Sequence, residues 1–457
     1  MNSTTVLPPA APAPQATEQS TGAVPAAETA RLWARLRRHR ETTPGTLQSL
    51  LVLLIVLAVV AGGAVALAAR SAASGTAEVG QRIEPLLVDA ESIYSSLADA
   101  DATAAQAFLA GGLEPPALTR RYTEDLRRAN TALTEAARRA PDGGGTAHTI
   151  GILSAGVSQY AGLVATARAN NRQGYPVGAS YLSAASRLNR DTLLPQARAL
   201  LDSARRELAG GYTAARSNGL TAVAVLALLA LLAGLLWTQR YLTRLTRRSI
   251  NVPLAAATVL TLGLALAAGT VLGLQRSHLT AADTRGSAPV GTVAQARIEA
   301  LRERGDEGLT LAARGGDGPY EVDFATASTR LGGLLVQVRA QLSASGSPTA
   351  REANAAREAS AGHQAYLARH AEIRALDRDG DYARAVTTSI GPDTTRIFES
   401  VTGALGRILD AKKATFGSEI TRAGRGLGLL GVLGPVLALL AAALAATGIR
   451  ARLEEYR

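Results

Sequence analysis

The chain has 457 residues, of which 47% are hydrophobic and only 4% aromatic, and its formal net charge is +11. Two Trp and four Phe are too few to fill the pleated faces of β-sandwiches or barrels, so the composition favours an all-α fold. The absence of cysteine excludes disulfide scaffolds, Cys-ligated zinc and thiol chemistry.

Residues 1–46 are predicted to form a cytoplasmic tail. The first thirty lack hydrophobic periodicity and are rich in proline, which is typical of a disordered segment. A basic flank follows, with arginines at positions 31, 35, 37, 38 and 40.

Four long stretches without Asp, Glu, Lys or Arg predict transmembrane helices. About twenty residues at 1.5 Å per residue cross a hydrocarbon core of roughly 30 Å. The first stretch starts too late in the chain and is too long for a cleaved signal peptide. We therefore expect an integral membrane protein with spans at 47–69, 217–239, 249–275 and 426–449.

Arginines beside the spans predict the orientation, because short Arg-rich loops stay in the cytoplasm. The loop 240–248 contains Arg240, Arg244, Arg247 and Arg248 and no acidic residue, and the tail 450–457 is also basic. Both termini are thus expected to be cytoplasmic, with 70–216 and 276–425 extracytoplasmic. The four loop arginines are also candidates for contact with a cytoplasmic partner or with anionic membrane lipid.

The two long segments each carry a net charge of only +2, so no nucleic-acid partner is predicted. They also share landmarks, which indicates a tandem duplication. Pro85 and Leu97 recur 204 residues later as Pro289 and Leu301. A second set recurs at an offset of 206 residues: Gly156, Tyr160 and Gly174 match Gly362, Tyr366 and Gly380.

Each segment is predicted to fold as a four-helix bundle. Apolar residues from Leu86 to Phe108 recur every three or four positions, which is typical of a helix packed against neighbours. Glycine- and proline-rich breakers divide the rest into three further helices. The fold class is therefore all-α, with four transmembrane helices and two tandem extracytoplasmic four-helix bundles. Pro85 and Pro289 should kink or break the first helix where a two-helix neck meets each bundle.

Polar residues on these helices offer few signs of chemistry, and we predict no catalytic, cofactor-binding or metal site. Asp99 and Asp101 lie at the edge of the first apolar stripe. They either hold the amino group of a ligand or are solvated, and the spacing favours solvation. His363 and His370 with Glu372 faintly suggest a metal site, but a seven-residue spacing favours solvated surface histidines.

Glycines in the spans are expected to mediate close helix packing. The segment 426–431 also matches the spaced-glycine pattern of dinucleotide sites, but it follows no strand, so packing is the preferred interpretation. The packing candidates are Gly269, Gly273, Gly424, Gly428 and Gly431.

Paired spans around a four-helix bundle, with the segment Ala107–Gly111, resemble the sensory module of bacterial chemoreceptors. The tandem form resembles the actinobacterial GlnX family of four-span membrane proteins. This likeness rests on the topology, on the basic loop that begins Arg240-Tyr241-Leu242-Thr243-Arg244, on Asn251 and on the C-terminal segment 448–457.

The resemblance implies a non-enzymatic transmembrane sensor or adaptor for amino-acid status. Its expected partners are an extracytoplasmic solute-binding lipoprotein (GlnH-like) and a cytoplasmic Ser/Thr kinase (PknG-like). Direct binding of a small molecule between bundle helices and a purely structural membrane scaffold remain alternatives. The sequence also leaves open a homodimer, and no cofactor is implied.

Overall fold

The computed structural model describes residues 43–111, 114–140, 143–246, 251–314, 318–344 and 348–454. Every regular element in these ranges is helical, which confirms the all-α prediction. Several sequence predictions lie outside the described residues. They are the disordered tail up to residue 42, Arg247 and Arg248 of the basic loop, parts of the predicted breakers and the last three residues.

Helices α1 to α6 include the first span and the first long segment. Their bounds are α1 Thr43–Glu78, α2 Glu84–Leu109, α3 Pro116–Arg139, α4 Gly145–Arg172, α5 Val177–Leu188 and α6 Leu194–Ala215. Helices α7 and α8 are Gly219–Thr246 and Val252–Ala281. The remaining helices are α9 Ala288–Ala313, α10 Pro319–Ala344, α11 Ala350–Arg378, α12 Tyr382–Ile390, α13 Pro392–Ala423 and α14 Leu427–Glu454.

Three short π-helical segments, Val79–Ile83, Asn189–Leu193 and Ala282–Ser287, join consecutive helices in the described part of the chain. Each is followed within two residues by a proline: Pro85, Pro195 or Pro289. At the first, the Glu84 amide donates to the carbonyl of Val79, five residues back. Proline lacks an amide proton and crowds the carbonyl four residues before it, and a wider turn accommodates both effects. The expected break at Pro85 and Pro289 is therefore absent, and the helix continues through both.

Helices α1, α7, α8 and α14 pack together around an apolar core that is separate from the rest of the molecule. Five helical stretches of the described residues are long and apolar enough to cross a membrane, and four of them include these helices. The fifth, Gly145–Arg172, is α4, which buries Leu153, Val157 and Tyr160 against other helices of the first long segment. These long apolar helices fit a membrane protein.

The two long segments share one hydrophobic core. We call residues 79–215 the first unit and residues 282–423 the second unit. In the first unit α2 packs on α3 and α6, and in the second α9 packs on α10 and α13. Helices α2 and α9 also contact each other, so each unit supplies one central helix to a common body.

The helices of the apolar core, α1, α7, α8 and α14, are one layer of the molecule, and the two units are the other. The helical connections between these two layers are of two kinds. The chain is helical without interruption from Thr43 to Leu109 and again from Val252 to Ala313, so both central helices continue into apolar spans. The helices that lead back from the units to the apolar core are interrupted. Residues 216–218 separate α6 from α7, and residues 424–426 separate α13 from α14. Gly426 has φ +80°, a conformation that favours glycine.

The two layers are tied together where α1 leaves the apolar core. A Cβ atom added to Gly75 would lie 3.1 Å from the Cα of Ala215 on α6, so this crossing requires a small residue. The Gln275 side-chain amide on α8 donates to the Thr76 hydroxyl at 3.2 Å and to the Ala215 carbonyl at 3.3 Å. One buried amide thus joins three helices at the neck.

Close helix packing in the apolar layer occurs at other glycines than those predicted. Within the described residues, nothing lies within 4 Å of a Cβ atom placed on Gly269, Gly273 or Gly428. Gly424 meets only carbonyls of its own helix, and Gly431 makes an ordinary 3.8 Å contact with Ala69.

The close contact is instead between α1 and α14. A Cβ atom on Gly62 would lie 3.0 Å from the Cα of Pro435, and one on Gly434 would lie 2.7 Å from a methyl of Val65. The packing prediction for Gly269, Gly273 and Gly428 is wrong because spacing along a helix does not tell which face meets a neighbour.

Candidate functional site

The contact between the central helices α2 and α9 contains the longest fully buried stretches among the described residues. All residues from 93 to 107 and from 303 to 311 are buried. Glycines allow the close approach: a Cβ atom on Gly308 would lie 2.9 Å from the Cβ of Ala105. Polar side chains on these stretches have lost water and therefore need partners within the protein.

Asp99 finds its partners on two other helices. It is 2% exposed. The Arg297 guanidinium of α9 donates to its Oδ2 at 2.8 Å, and that of Arg121 on α3 donates to its Oδ1 at 3.3 Å. A carboxylate of the first unit is thus held by an arginine of the second.

Asp101 lies two residues further on and is also buried. It accepts hydrogen bonds from the Ser186 hydroxyl at 2.9 Å, the Arg190 Nε at 3.3 Å and the Tyr160 hydroxyl at 3.5 Å. The favoured interpretation of solvated aspartates is therefore wrong for both residues. Their side of α2 is covered by neighbouring helices, including α9 of the second unit, which a bundle considered alone does not reveal.

Arg190 continues the connection into the second unit, because its Nη1 donates to Asp306 on α9. Burial raises the pKa of Asp306 to about 7, although Arg190 opposes this shift. Lys413 of α13 pairs with Glu91 of α2 at 2.9 Å. The two units are therefore joined by ion pairs in both directions, with cations on either side.

The second unit has its own buried network, centred on two histidines. The Nε2 of His363 lies 2.8 Å from Glu303, and the Nδ1 and Nε2 of His370 lie 3.0 Å from Glu307 and 3.1 Å from Glu321. Both histidines are 6% exposed, so the favoured interpretation of solvated surface histidines is wrong. No group of three metal-ligating side chains that could hold a metal occurs among the described residues.

Further groups complete this network. Arg304 donates to Glu307 at 2.8 Å and to the Ser389 carbonyl at 2.9 Å, while the Ser389 hydroxyl donates to Glu307 at 2.7 Å. Phe324 stacks on the His370 ring with centroids 3.6 Å apart. Burial alone would lower the pKa of His370, but the bonds to Glu307 and Glu321 outweigh it and raise the pKa to about 9.

The charged residues of α9 and Arg190 are not among the predicted site residues. The 204-residue offset contained a usable signal, because it pairs Asp99 with Glu303 on the equivalent helix. An acidic residue at equivalent positions of two helices, each predicted to pack in a bundle, is a signal of a buried polar network. Arg190 offered no such signal, because its position depends on how the two units pack.

Of the four loop arginines, Arg240 and Arg244 are exposed on the last turns of α7, which extends beyond the predicted span end at 239. Trp237 stacks on Tyr241 with centroids 6.1 Å apart, and these two residue types are enriched at membrane–water interfaces. The Asn251 side-chain amide donates to the Gly448 carbonyl at 2.9 Å and ties the start of α8 to α14.

With this geometry established, the first unit can be compared with known proteins. A family model described as an actinobacterial sensor domain matches residues 75–213, which is less than a third of the chain. This match covers the first unit from the neck to the end of α6 and supports an actinobacterial sensor. No curated protein and no solved structure matches the chain.

Proposed function

We propose that this chain is a non-enzymatic, four-span sensor of the cell membrane with both termini in the cytoplasm. In this proposal it relays an amino-acid signal from an extracytoplasmic solute-binding lipoprotein to a cytoplasmic Ser/Thr kinase. The sensing role is supported by the family match to the first unit. The amino-acid signal and the two partners rest on the resemblance to the GlnX family, and the repeated landmarks support a tandem duplication.

One observation supports signal transfer most directly. The two helices at the centre of the buried body, α2 and α9, continue without a break into the apolar helices α1 and α8. An input that changes how α2 packs on α9 therefore moves the spans as well. Residues 216–218, between α6 and α7, and 424–426, between α13 and α14, can accommodate that motion, because they are not helical.

The mechanism is a shift between two packing states of the central pair. A ligand or partner with a tenfold preference for one state supplies about 1.4 kcal/mol toward it. Close contacts such as Gly308 against Ala105 favour discrete states, because closely packed helices do not deform continuously.

A second candidate function is direct binding of the amino acid by this chain without a binding protein. A groove lined by charges of both signs between the two units favours it.

The relay is tested by crosslinking the full chain in native membranes and identifying the proteins recovered with it. We expect a solute-binding lipoprotein and a Ser/Thr kinase. Changing Arg240 and Arg244 to Gln should lower kinase recovery about tenfold and leave lipoprotein recovery unchanged, since both lie at the proposed cytoplasmic end.

Arg285→Gln is the matched control. This exposed arginine lies in the π-helical segment between α8 and α9, at the proposed extracytoplasmic end of the span. Membrane orientation is measured separately for each variant with an accessibility label on the two termini. Absence of the kinase from the wild-type sample, under conditions that recover a known membrane complex, contradicts the relay.

A further inference from the structure

A groove of about 400 Å³ lies between the two units and contains charges of both signs. It is lined by α2 and α3 on the first-unit side and by α9 and α13 on the second-unit side. Its charged residues are the acids Glu91, Asp99 and Asp410 and the bases Arg128, Arg297 and Lys413. Volumes of roughly 300–1,000 Å³ are typical of small-molecule sites.

The charges in the groove do not fully satisfy one another. Glu91 is 2% exposed, and its Oε2 accepts from Lys413 at 2.9 Å, but its Oε1 has no hydrogen-bond partner. The Nε of Arg297 is likewise buried without a partner, although its Nη2 bonds to Asp99. Asp410 is exposed at the rim and forms no ion pair within the described part of the chain. A ligand with its own charges can complete these partial pairs.

We infer that this groove binds a zwitterionic amino acid. The carboxylates of Glu91 and Asp410 suit its ammonium group, and the cations of Arg297 and Lys413 suit its carboxylate. Serine hydroxyls of α2 and the Thr402 hydroxyl of α13 line the same space and offer neutral hydrogen-bonding groups for a polar side chain. A ligand that carried only one charge would leave part of the set unpaired, which is costly for buried groups.

The groove also links binding to the central pair. Asp99 and Glu91 are on α2, whereas Arg297 is on α9 and Lys413 is on α13. A ligand held between them contacts both units at once and stabilises one packing of α2 on α9. This inference rests on the second candidate function, direct binding, and deepens it by naming the groove, its contacts and the zwitterionic ligand class; it does not depend on the relay.

The test is isothermal titration calorimetry on the full chain in lipid nanodiscs, with each of the standard L-amino acids offered singly. We expect at least one to bind. Its N-acetyl derivative and its carboxamide, which each remove one charge, should bind at least tenfold more weakly. Equal binding of either derivative overturns the zwitterion assignment, and no heat with any amino acid at millimolar concentration overturns the site.

Variants locate the binding. Glu91→Gln and Asp410→Asn should each weaken the amino acid at least tenfold, and Asp410 at the exposed rim can be changed without disturbing the buried core. The matched control is the double change Glu358→Gln with Arg407→Gln, which removes an exposed pair of 2.6 Å between α11 and α13 outside the groove. Undiminished binding by Asp410→Asn together with Glu91→Gln overturns the assignment to this groove.

The experiments distinguish failure of the groove proposal from failure of the proposed relay. Kinase recovery that responds to amino acid only when the lipoprotein is present, with no heat from the purified chain, refutes the groove and leaves the relay intact. Heat from the purified chain with no kinase recovered refutes the relay and supports the groove.

Discussion

The two central helices α2 and α9 are equivalent in position and equal in length, yet their buried acids have different kinds of partner. The aspartates of α2 reach the other unit, directly from Asp99 to Arg297 and from Asp101 through Arg190 to Asp306. The glutamates of α9 bond to histidines of their own unit, Glu303 to His363 and Glu307 to His370.

This difference separates two polar networks that depend differently on the contact between the units. The polar core of the first unit fixes how the two units meet, so it depends on the second unit being in place. The histidine network of the second unit has its partners within that unit, and its strength depends on the protonation of His370. Disturbing each network separately should therefore have different effects on stability and on contact between the units.

The largest expected effect is at Glu307, the acid shared by Arg304, His370 and Ser389. Glu307→Gln removes the carboxylate partner of the buried Arg304 and one of the two carboxylate partners of His370, which should lower the free energy of unfolding by about 3–5 kcal/mol. Urea denaturation of the full chain in detergent micelles measures this change.

Glu372→Gln is the control for that substitution, since among the described residues this exposed acid has an ion pair only with the neighbouring Arg369 on α11. It should cost less than about 1 kcal/mol. Similar losses for both variants would show that the second network contributes no more than a surface pair.

The second effect is a pH dependence of stability caused by His370. Its pKa is about 9 in the folded protein and about 6.5 when unfolded. Because the folded pKa is the higher one, the stabilisation is complete below pH 6.5 and is lost as the pH rises through 9. The loss is about 3 kcal/mol.

His370→Asn should flatten the stability profile between pH 7 and 9, as measured by urea denaturation at each pH. Burial raises the pKa of Asp125 and of Asp306 to about 7, so their ionisation weakens the fold mainly below this window. His148→Asn changes an exposed histidine of α4 and serves as the control. A profile that falls as steeply in His370→Asn as in the wild type would assign the effect to another group.

The smallest of the three effects is at Arg190, the cation that bridges the units. Arg190→Gln should cost about 2 kcal/mol, because Asp306, with its pKa of about 7, can take up a proton and relieve the loss. Amide hydrogen exchange distinguishes this variant from Glu307→Gln. Arg190→Gln should raise the exchange rates of both α2 and α9, whereas Glu307→Gln should raise them in the second unit.

Arg187→Gln, an exposed neighbour on α5, is the control for the exchange measurement. If Arg190→Gln loosened only the first unit, the bridge would not hold the units together, and the contrast between the two networks would fail.

Features set by local sequence could be predicted well. Uncharged runs of more than twenty residues predicted the long apolar helices, and glycine breakers such as Gly174 and Gly380 indeed fall at helix ends with positive φ. These signals work because solvation by lipid and the conformational freedom of glycine act within a few residues.

Features set by packing between units could not be predicted. Arg297 and Asp99 are 198 positions apart in the chain, and nothing local indicates that α2 lies against α9. Asp99 lies at the edge of an apolar stripe, and Arg297, one of its two arginine partners, belongs to the second unit. The burial of the α11 histidines could not be predicted either, because their partners Glu303 and Glu307 lie on another helix of the same unit.

The π-helical turns at the two necks have a consequence for helix azimuth. An α-helix advances about 100° per residue, so one extra residue in a turn rotates everything beyond it by about that angle relative to an uninterrupted helix. The face that α1 presents to α14 is thereby set independently of the face that α2 presents to α9, although α1 and α2 belong to one continuous helix. Each neck fixes a phase angle between membrane and sensor, and moving a single residue in or out of the wide turn changes that angle without breaking the helix.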